Sequence, residues 1–184
     1  MRIPKCILAI MMILATVVAL PAQTAAQREK GKGKPEVLTV LQKMLQGELG
    51  AVSQYMLHAE MCENWGYKKL SDHTEKRAIV EMKHAEMLIA RMLFLDGTPE
   101  MLDLPPLTIG KDVKSQLTND LVLEHAAVVG YNEAIAVCRK AGDNSSAALL
   151  ENILKDEDGH VDFLEAQLHI IKEAGLENYL SQQM

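Results

Sequence analysis

Aromatic residues are scarce in this sequence. Phe, Trp and Tyr make up 4% of its 184 residues, whereas 11 methionines and many Ala, Leu, Glu, Lys and Gln residues are present. Because these residues are good helix formers and aromatic residues favour strands, the composition predicts an all-α protein. The length suits one domain with a sizeable core and is too short to suggest two domains.

The sequence also lacks an excess of basic residues. Its formal net charge is −6 at pH 7. A surface that binds nucleic acid needs Lys and Arg to neutralise phosphates, so no nucleic-acid partner is expected. An acidic protein attracts cations instead.

No apolar run in the sequence reaches the roughly 20 residues that span a bilayer. The longest run, from Cys6 to Leu20, follows Arg2 and Lys5 and precedes a segment of small residues. This order is typical of a secretory signal peptide, here residues 1–26. We therefore expect cleavage, export to the periplasm or cell envelope, and no stable membrane anchor. An uncleaved anchor and an incorrectly chosen start codon are the alternatives.

A repeat with an offset of 76 residues dominates the remaining sequence. Seven side chains recur at this offset, in alternating steps of four and three residues that place them on one helix face. In each copy a glutamate lies in the middle of an otherwise apolar stripe. The first copy comprises Leu41, Leu45, Glu48, Val52, Tyr55, Ala59 and Cys62, and the second comprises Leu117, Leu121, Glu124, Val128, Tyr131, Ile135 and Cys138.

A second motif follows each central glutamate after 33 residues. It is Glu-x-x-His, present as Glu81 with His84 and as Glu157 with His160. Residues three apart on a helix share a face, so each motif can present both side chains to one centre. Four helices then direct four glutamates and two histidines inward, which predicts a dinuclear metal site.

The charges of these six side chains support a metal site. Burial of one carboxylate costs several kcal/mol, so four glutamates on core stripes need compensating cations. Two divalent ions balance four carboxylates if both histidines are neutral. Carboxylate and imidazole ligands suit iron or manganese, with zinc as an inert competitor, and open positions on paired ferrous ions favour reaction with dioxygen or peroxide. A metal-free structural role is the alternative, and two motif copies at equal spacing argue against it.

The periodic stripes and turn residues predict four long helices and a short fifth helix. They span Pro35 to Cys62, Lys68 to Leu95, Lys114 to Lys140, Ala147 to Ala174 and Leu176 to Ser181. The proline-containing segment between Gly97 and Asp112 can extend to roughly 50 Å, whereas a helix of about 28 residues is roughly 40 Å long. The sequence therefore predicts an antiparallel four-helix bundle with one long crossover over residues 35–184, preceded by a flexible lead-in over residues 27–34.

Two cysteines, Cys62 and Cys138, remain after removal of the signal peptide, and their spacing fits no metal motif. An exported protein can oxidise a cysteine pair. Each of these residues, however, lies near the C-terminal end of its own helix, and the predicted topology places those ends at opposite ends of the bundle. Two separate buried thiols are therefore expected.

Other polar residues carry weaker signals. Tyr55 and Tyr131 are expected to be core residues whose hydroxyls find a polar partner, such as a ligand carboxylate. Surface or supporting positions are expected for His58, His73 and His125, and exposed positions for Asp156, Asp158 and His169.

Residues Val37 to Gln183 closely resemble bacterioferritin, the haem-containing branch of the ferritins. The matching segments are Gly47-Glu48-Leu49, Gln54-Tyr55, Asn64-Trp65-Gly66, Glu81-Met82-Lys83-His84-Ala85, Asp156-Glu157-Asp158-Gly159-His160 and Gly175-Leu176-Glu177-Asn178-Tyr179-Leu180. The resemblance implies a ferritin-like fold and a hollow homo-oligomeric shell of 24 subunits built from dimers. It also implies that dioxygen or hydrogen peroxide oxidises ferrous iron, which is then stored as ferric mineral.

The resemblance also implies roles for particular residues. One iron is held by Glu48, Glu81 and His84, the other by Glu124, Glu157 and His160, with Glu81 and Glu157 bridging the two. Met82 is implied as an axial ligand of haem b, shared between two subunits across a two-fold axis. The alternative for Met82 is packing at a dimer interface.

Four positions depart from the family pattern. Many members carry a histidine and a carboxylate facing the cavity where this chain has Lys76 and Val80. Leu88 and Phe163 stand where a tyrosine and a tryptophan are common. The departures argue against an inner-surface iron site and an aromatic route for electrons, but they leave the proposed iron ligands untouched.

Three classes of function fit these observations. The first is an iron-storage ferroxidase. The second is an exported di-iron redox enzyme, peroxidase-like, that stores no iron. The third is a haem- or metal-binding protein without turnover. The resemblance implies the cytoplasm as the alternative to export.

Overall fold

The structure is a computed structural model that describes residues 33–184. Five helices are present: α1 (Pro35–Asn64), α2 (Lys68–Phe94), α3 (Val113–Lys140), α4 (Asn144–Ala174) and α5 (Leu176–Ser181). No strand occurs in this range. The predicted all-α fold with a short fifth helix is therefore confirmed.

The N-terminal predictions fall mostly outside the described residues. The signal peptide at residues 1–26 lies wholly outside them, as do residues 27–32 of the lead-in. The last two residues of the lead-in contact the bundle. The Gly33 amide donates to the Leu95 carbonyl at 2.8 Å, and Lys34 Nζ donates to the Ala141 carbonyl at 2.5 Å.

Two short connections make two antiparallel helix pairs. Residues 65–67 join α1 to α2, and residues 141–143 join α3 to α4. Each connection contains a glycine in the left-handed region, Gly66 at φ +84° and Gly142 at φ +75°, a conformation that costs glycine least. Helix α4 begins at Asn144, three residues before the predicted start, because the Asp143 carboxylate caps it by accepting from the Ser146 amide at 3.0 Å.

The crossover between α2 and α3 runs along α1 from near its beginning to near its end. The Gln42 amide group donates to the Glu100 carbonyl at 2.8 Å, and further along the Gly110 amide donates to His58 Nε2 at 3.0 Å. Midway, the Pro105 ring lies against Gly50, where a Cβ would come within 2.7 Å of the ring. Helix α3 therefore starts beside the end of α1 and runs parallel to α2, as predicted.

The core consists of two large apolar clusters at opposite ends of the bundle. One includes Leu41, Leu88 and Cys138, and the other includes Cys62 and Tyr179, the latter contributed by α5. Both thiols are unpaired, which confirms the prediction of two separate buried cysteines. Burial raises the pKa of each thiol to about 11.

Helix α3 is long and apolar enough to cross a membrane by length and composition alone. Core helices of bundles meet the same criterion. Within the described chain α3 packs against α1 and α4 and buries Glu124 between them, which is the environment of a bundle helix.

Candidate metal centre

A layer of charged side chains lies in the middle of the bundle. Helices α1 and α3 each contribute one glutamate, and α2 and α4 each contribute a Glu-x-x-His pair, so all six sequence-predicted ligands meet. Each of them is at most 7% exposed. We call this set the Glu/His layer; it consists of Glu48, Glu81, His84, Glu124, Glu157 and His160.

The layer divides into two groups that share two members. One group contains Glu48 and His84, the other contains Glu124 and His160, and Glu81 and Glu157 belong to both. In each group the potential ligand atoms lie within 4.8 Å of one another. This geometry fits two adjacent metal positions with two carboxylates between them.

Both histidines present the same ring nitrogen to the carboxylates. His84 Nδ1 lies 2.9 Å from Glu81 and 3.2 Å from Glu157. His160 Nδ1 lies 3.0 Å from Glu157 and 3.1 Å from Glu81. The rings are nearly parallel, with centroids 6.2 Å apart. The sequence repeat thus produces a pseudo-two-fold arrangement of ligands.

Three carboxylates of the layer, those of Glu48, Glu81 and Glu124, have raised pKa values and so hold protons more tightly than exposed glutamates do. Burial raises the pKa of Glu81 to about 8 and that of Glu124 to about 10, and it also raises the pKa of Glu48. Burial alone lowers the pKa of His84, but hydrogen bonds to surrounding carboxylates outweigh it and raise the pKa to about 12. Divalent cations would displace these protons and balance the charge.

Two buried atoms of the layer, Glu81 Oε1 and His160 Nδ1, lie 3.1 Å apart but make no hydrogen bond. Buried polar atoms in proteins nearly always have a hydrogen-bond partner, so two such atoms facing each other among converging carboxylates fit a bound ion. Oxygen and imidazole donors suit iron or manganese and bind zinc as well. The residues present therefore fit a dinuclear metal centre.

Two tyrosines support the outer glutamates. The Tyr55 hydroxyl donates to Glu124, and the Tyr131 hydroxyl donates to Glu48. Both rings are buried, and burial together with the nearby carboxylates raises the pKa of each phenol well above its usual value. The predicted partnership between these hydroxyls and ligand carboxylates is confirmed.

A second polar cluster lies beside the Glu/His layer and was missed by sequence reasoning. Asp120 accepts from Gln54 Nε2 at 2.8 Å and lies 2.9 Å from His58 Nδ1. We call these three residues the Asp120 cluster. His58 is buried and paired, whereas sequence reasoning gave it no partner. The available signal was the spacing of Gln54 and His58, four residues apart on one face of α1.

Most of the other residues singled out in the sequence do not contact the six predicted ligands. Met82 follows Glu81 on α2 and is 46% exposed, so it lies outside the core. Leu88 is buried in an apolar cluster, and Phe163 stacks on His73 with ring centroids 3.8 Å apart. Asp156, predicted to be simply exposed, is 59% exposed but also lies 3.3 Å from His84 Nε2.

Four helices direct glutamates and histidines toward two adjacent metal positions, which share two of the glutamates. This arrangement is characteristic of the ferritin-like class of di-iron carboxylate proteins. Comparison with known proteins agrees, since residues 38–174 match the family model of the ferritin-like domain. The chain is 40% identical over 151 residues to the bacterioferritin of Mycolicibacterium paratuberculosis, covering 82% of this chain and 95% of that protein. It belongs to the bacterioferritin family.

Two further relatives cover similar shares. The bacterioferritin of Brucella melitensis is 43% identical over 148 residues, which covers 80% of this chain and 92% of the relative. A bacterial ferritin of Synechocystis is 43% identical over 154 residues, which covers 83% of this chain and 99% of the relative. The resemblance to this family predicted from the sequence is therefore confirmed.

Proposed function

We propose that this protein is an iron-storage ferroxidase. It binds two ferrous ions in the Glu/His layer, oxidises them, and stores the ferric product inside a shell of 24 copies built from dimers. The observation that carries the proposal is the pair of ligand groups sharing Glu81 and Glu157. Membership of the bacterioferritin family supports the storage role.

The six side chains have distinct roles in the proposed reaction. Glu48 and His84 close one iron position, Glu124 and His160 close the other, and the two shared glutamates lie between them. Each ferrous ion loses one electron. Dioxygen takes up two electrons and two protons to give hydrogen peroxide, or hydrogen peroxide takes up the same to give two waters. Binding of iron releases the protons that Glu48, Glu81 and Glu124 hold.

A cavity offers a route from the surface to the site. It measures about 1020 Å³ and lies between the crossover, α1 and α3. Its walls include Asp103 and Leu107, and at its inner end it reaches Glu48, Glu81 and Glu124. The carboxylate of Asp103 attracts ferrous ions, and the opening admits a small oxidant without exposing the ligands, which stay buried.

Particle size and iron content separate storage from the other function classes. A storage protein should elute as an assembly on the order of hundreds of kilodaltons, since one chain has a mass of 20.4 kDa. It should retain iron far beyond two ions per chain. A small species with two irons per chain would favour the di-iron redox enzyme, and it would refute storage.

Ferrous oxidation tests the enzymatic part of the proposal. The double variant Glu48→Ala with Glu124→Ala removes one ligand from each position, so the initial rate should fall by at least about 100-fold. The matched control is Glu60→Ala with Asn132→Ala, which removes exposed polar side chains from the same two helices outside the cavity and should leave the rate unchanged. An unchanged rate in the first variant would instead favour a haem or metal carrier without turnover.

Haem binding is proposed from the family resemblance at Met82. The exposed thioether on the outer face of α2 supports it, because a shared ligand must be accessible to a second subunit. Haem b would take one methionine from each of two chains. The haem content of the purified protein, measured as the pyridine haemochrome, should be one per two chains and should vanish in Met82→Leu. Haem retained by this variant would contradict the assignment.

Export is proposed from residues 1–26 alone. The mature protein should then be found in the periplasm or cell envelope, with an N-terminus near residue 27. Cell fractionation with N-terminal sequencing tests this. A protein in the cytoplasm that still begins at Met1 would show that the segment is not a signal peptide.

A further inference from the structure

The 76-residue repeat is broken directly before each Glu-x-x-His motif. Asp156 immediately precedes Glu157 on α4, whereas the equivalent residue before Glu81 on α2 is Val80. In the structure, Asp156 Oδ2 lies 3.3 Å from Nε2 of His84, on the side of the ring that faces away from the glutamates. A carboxylate therefore lies behind one histidine, whereas the repeat-related residue of the other half is a valine, which has no hydrogen-bond acceptor in its side chain.

The second histidine lacks such a partner. Nδ1 of His160 faces Glu157, Glu81 and Glu124 at 3.0, 3.1 and 3.5 Å. Between residues 33 and 184, no side chain forms a hydrogen bond or ion pair with its Nε2. His160 is also more exposed, at 7% against 1% for His84.

A carboxylate behind a metal-binding histidine has a known physical effect. It accepts the proton on Nε2, which fixes the tautomer so that Nδ1 presents its lone pair to the metal, and it holds the ring in orientation. Loss of such a partner typically lowers metal affinity by 10-fold to 100-fold. Because Asp156 is partly exposed, the lower end of that range applies here.

We infer that the two metal positions are unequal and that Asp156 makes them so. Asp156 is a positioning residue that acts through His84. The position of Glu48 and His84 fills first, and that of Glu124 and His160 fills second with roughly 10-fold weaker affinity. The inference rests on the proposed function, because it takes the layer to hold two ions. Exchange of iron then occurs mainly at the His160 position.

Cobalt(II) titration of the metal-free full-length protein tests this without turnover. Isothermal calorimetry and visible absorption should show two steps of one ion per chain, separated by about 10-fold or more in affinity. His160→Ala should keep the tight step, whereas His84→Ala should remove it. Two equal steps, or loss of the tight step in His160→Ala, would overturn the inference.

Changes at the two repeat-related positions sharpen the test. Val80→Asp should strengthen the weak step by about 10-fold, and Asp156→Val should weaken the tight step by a similar factor. Val80→Asn separates hydrogen bonding from charge, because its amide oxygen accepts the Nε2 proton without adding a carboxylate. The control Asp158→Val removes a neighbouring exposed carboxylate and should change neither step.

The outcomes separate this inference from the proposed function. Fewer than two cobalt ions per chain would mean that the layer is not a dinuclear site, and both would fail. Two ions bound with equal affinity would refute the inferred inequality and leave the proposed function standing. If Asp156→Val left the affinity of the tight step unchanged, Asp156 could not be the cause of the inequality, and the inference would fail even with unequal steps.

Discussion

The Glu/His layer and the Asp120 cluster are two buried polar groups in the same bundle, and they differ in how completely their hydrogen bonds are satisfied. In the Asp120 cluster, Gln54 and His58 both bond to the carboxylate, and each also accepts a backbone amide of the crossover at 3.0 Å. In the Glu/His layer, Glu81 Oε1 and His160 Nδ1 lie 3.1 Å apart but make no hydrogen bond. Burial of charge alone therefore does not indicate a metal site, whereas unsatisfied atoms among several converging carboxylates and imidazoles do.

The largest expected effect comes from removing the shared glutamates. Glu81→Ala with Glu157→Ala takes away the two carboxylates common to both positions, so cobalt binding should fall from two ions per chain to none. The metal-free protein should remain folded, because the change relieves repulsion between buried carboxylates. Calorimetric stoichiometry and helical circular dichroism check both halves of this prediction. Retained binding of two ions would contradict the bridging role.

For the Asp120 cluster we expect a loss of stability without a loss of metal binding. Asp120→Ala leaves Gln54 Nε2 and His58 Nδ1 buried without an acceptor, which should lower the free energy of unfolding by about 2–4 kcal/mol. Cobalt stoichiometry should stay at two ions per chain. Denaturant unfolding of the metal-free protein measures the loss, with the exposed Asp158→Ala as a control. If Asp120→Ala lost cobalt but kept its stability, the Asp120 cluster would be part of the metal site rather than a structural cluster.

A pH series should distinguish the metal-free from the metal-loaded protein. The raised pKa values of Glu81, about 8, and Glu124, about 10, mean that the folded state binds protons more tightly than the unfolded chain. That stabilisation is present below the unfolded value of 4.5 and is lost as pH rises toward 8 and beyond. The raised pKa of His84 acts in the same direction.

Metal binding replaces these protons, so affinity should increase with pH. The rise in Tm caused by cobalt should therefore grow between about pH 5 and about pH 8, as followed by thermal unfolding. The same series on Glu81→Ala with Glu157→Ala should show no cobalt-dependent rise at any pH. A rise that shrinks with pH in the wild type would mean that the carboxylates do not bind the ion.

The smallest expected effect is the loss of one tyrosine hydroxyl. Tyr131→Phe removes the hydrogen bond to Glu48, which should lower the free energy of unfolding by about 1 kcal/mol. Metal affinity should change by less than about 10-fold, because Glu48 itself stays in place. Tyr55→Phe provides the matched change at Glu124. A complete loss of binding in either variant would place the tyrosines among the ligands.

The Glu/His layer could be predicted from the sequence because its pattern is local and repeated. A glutamate on an apolar stripe and a Glu-x-x-His motif each identify a helix face, and the 76-residue offset pairs them. The crossover could also be predicted, because its prolines exclude a helix and its length spans the bundle.

The contacts that tertiary packing creates could not be predicted in this way. Asp120 meets Gln54 and His58 across more than 60 residues of sequence, and no motif links them. The sequence predicts an exposed position for Asp156, and its side chain is 59% exposed, yet the packing of α4 also brings it to His84. Sequence periodicity identifies the buried face of a helix but not the residues that face it.

The Asp120 cluster has a consequence for the assembly of the chain. Asp120 lies four residues, about one helical turn, before Glu124 on α3, while its partners lie on α1. A slip of α3 by one turn would move Asp120 roughly 5.4 Å and break both contacts. The same slip would separate Glu124 from the glutamates that the first helix pair supplies. During synthesis the first pair and the crossover emerge before α3, so they can form a template that selects the alignment of the second pair before any iron arrives.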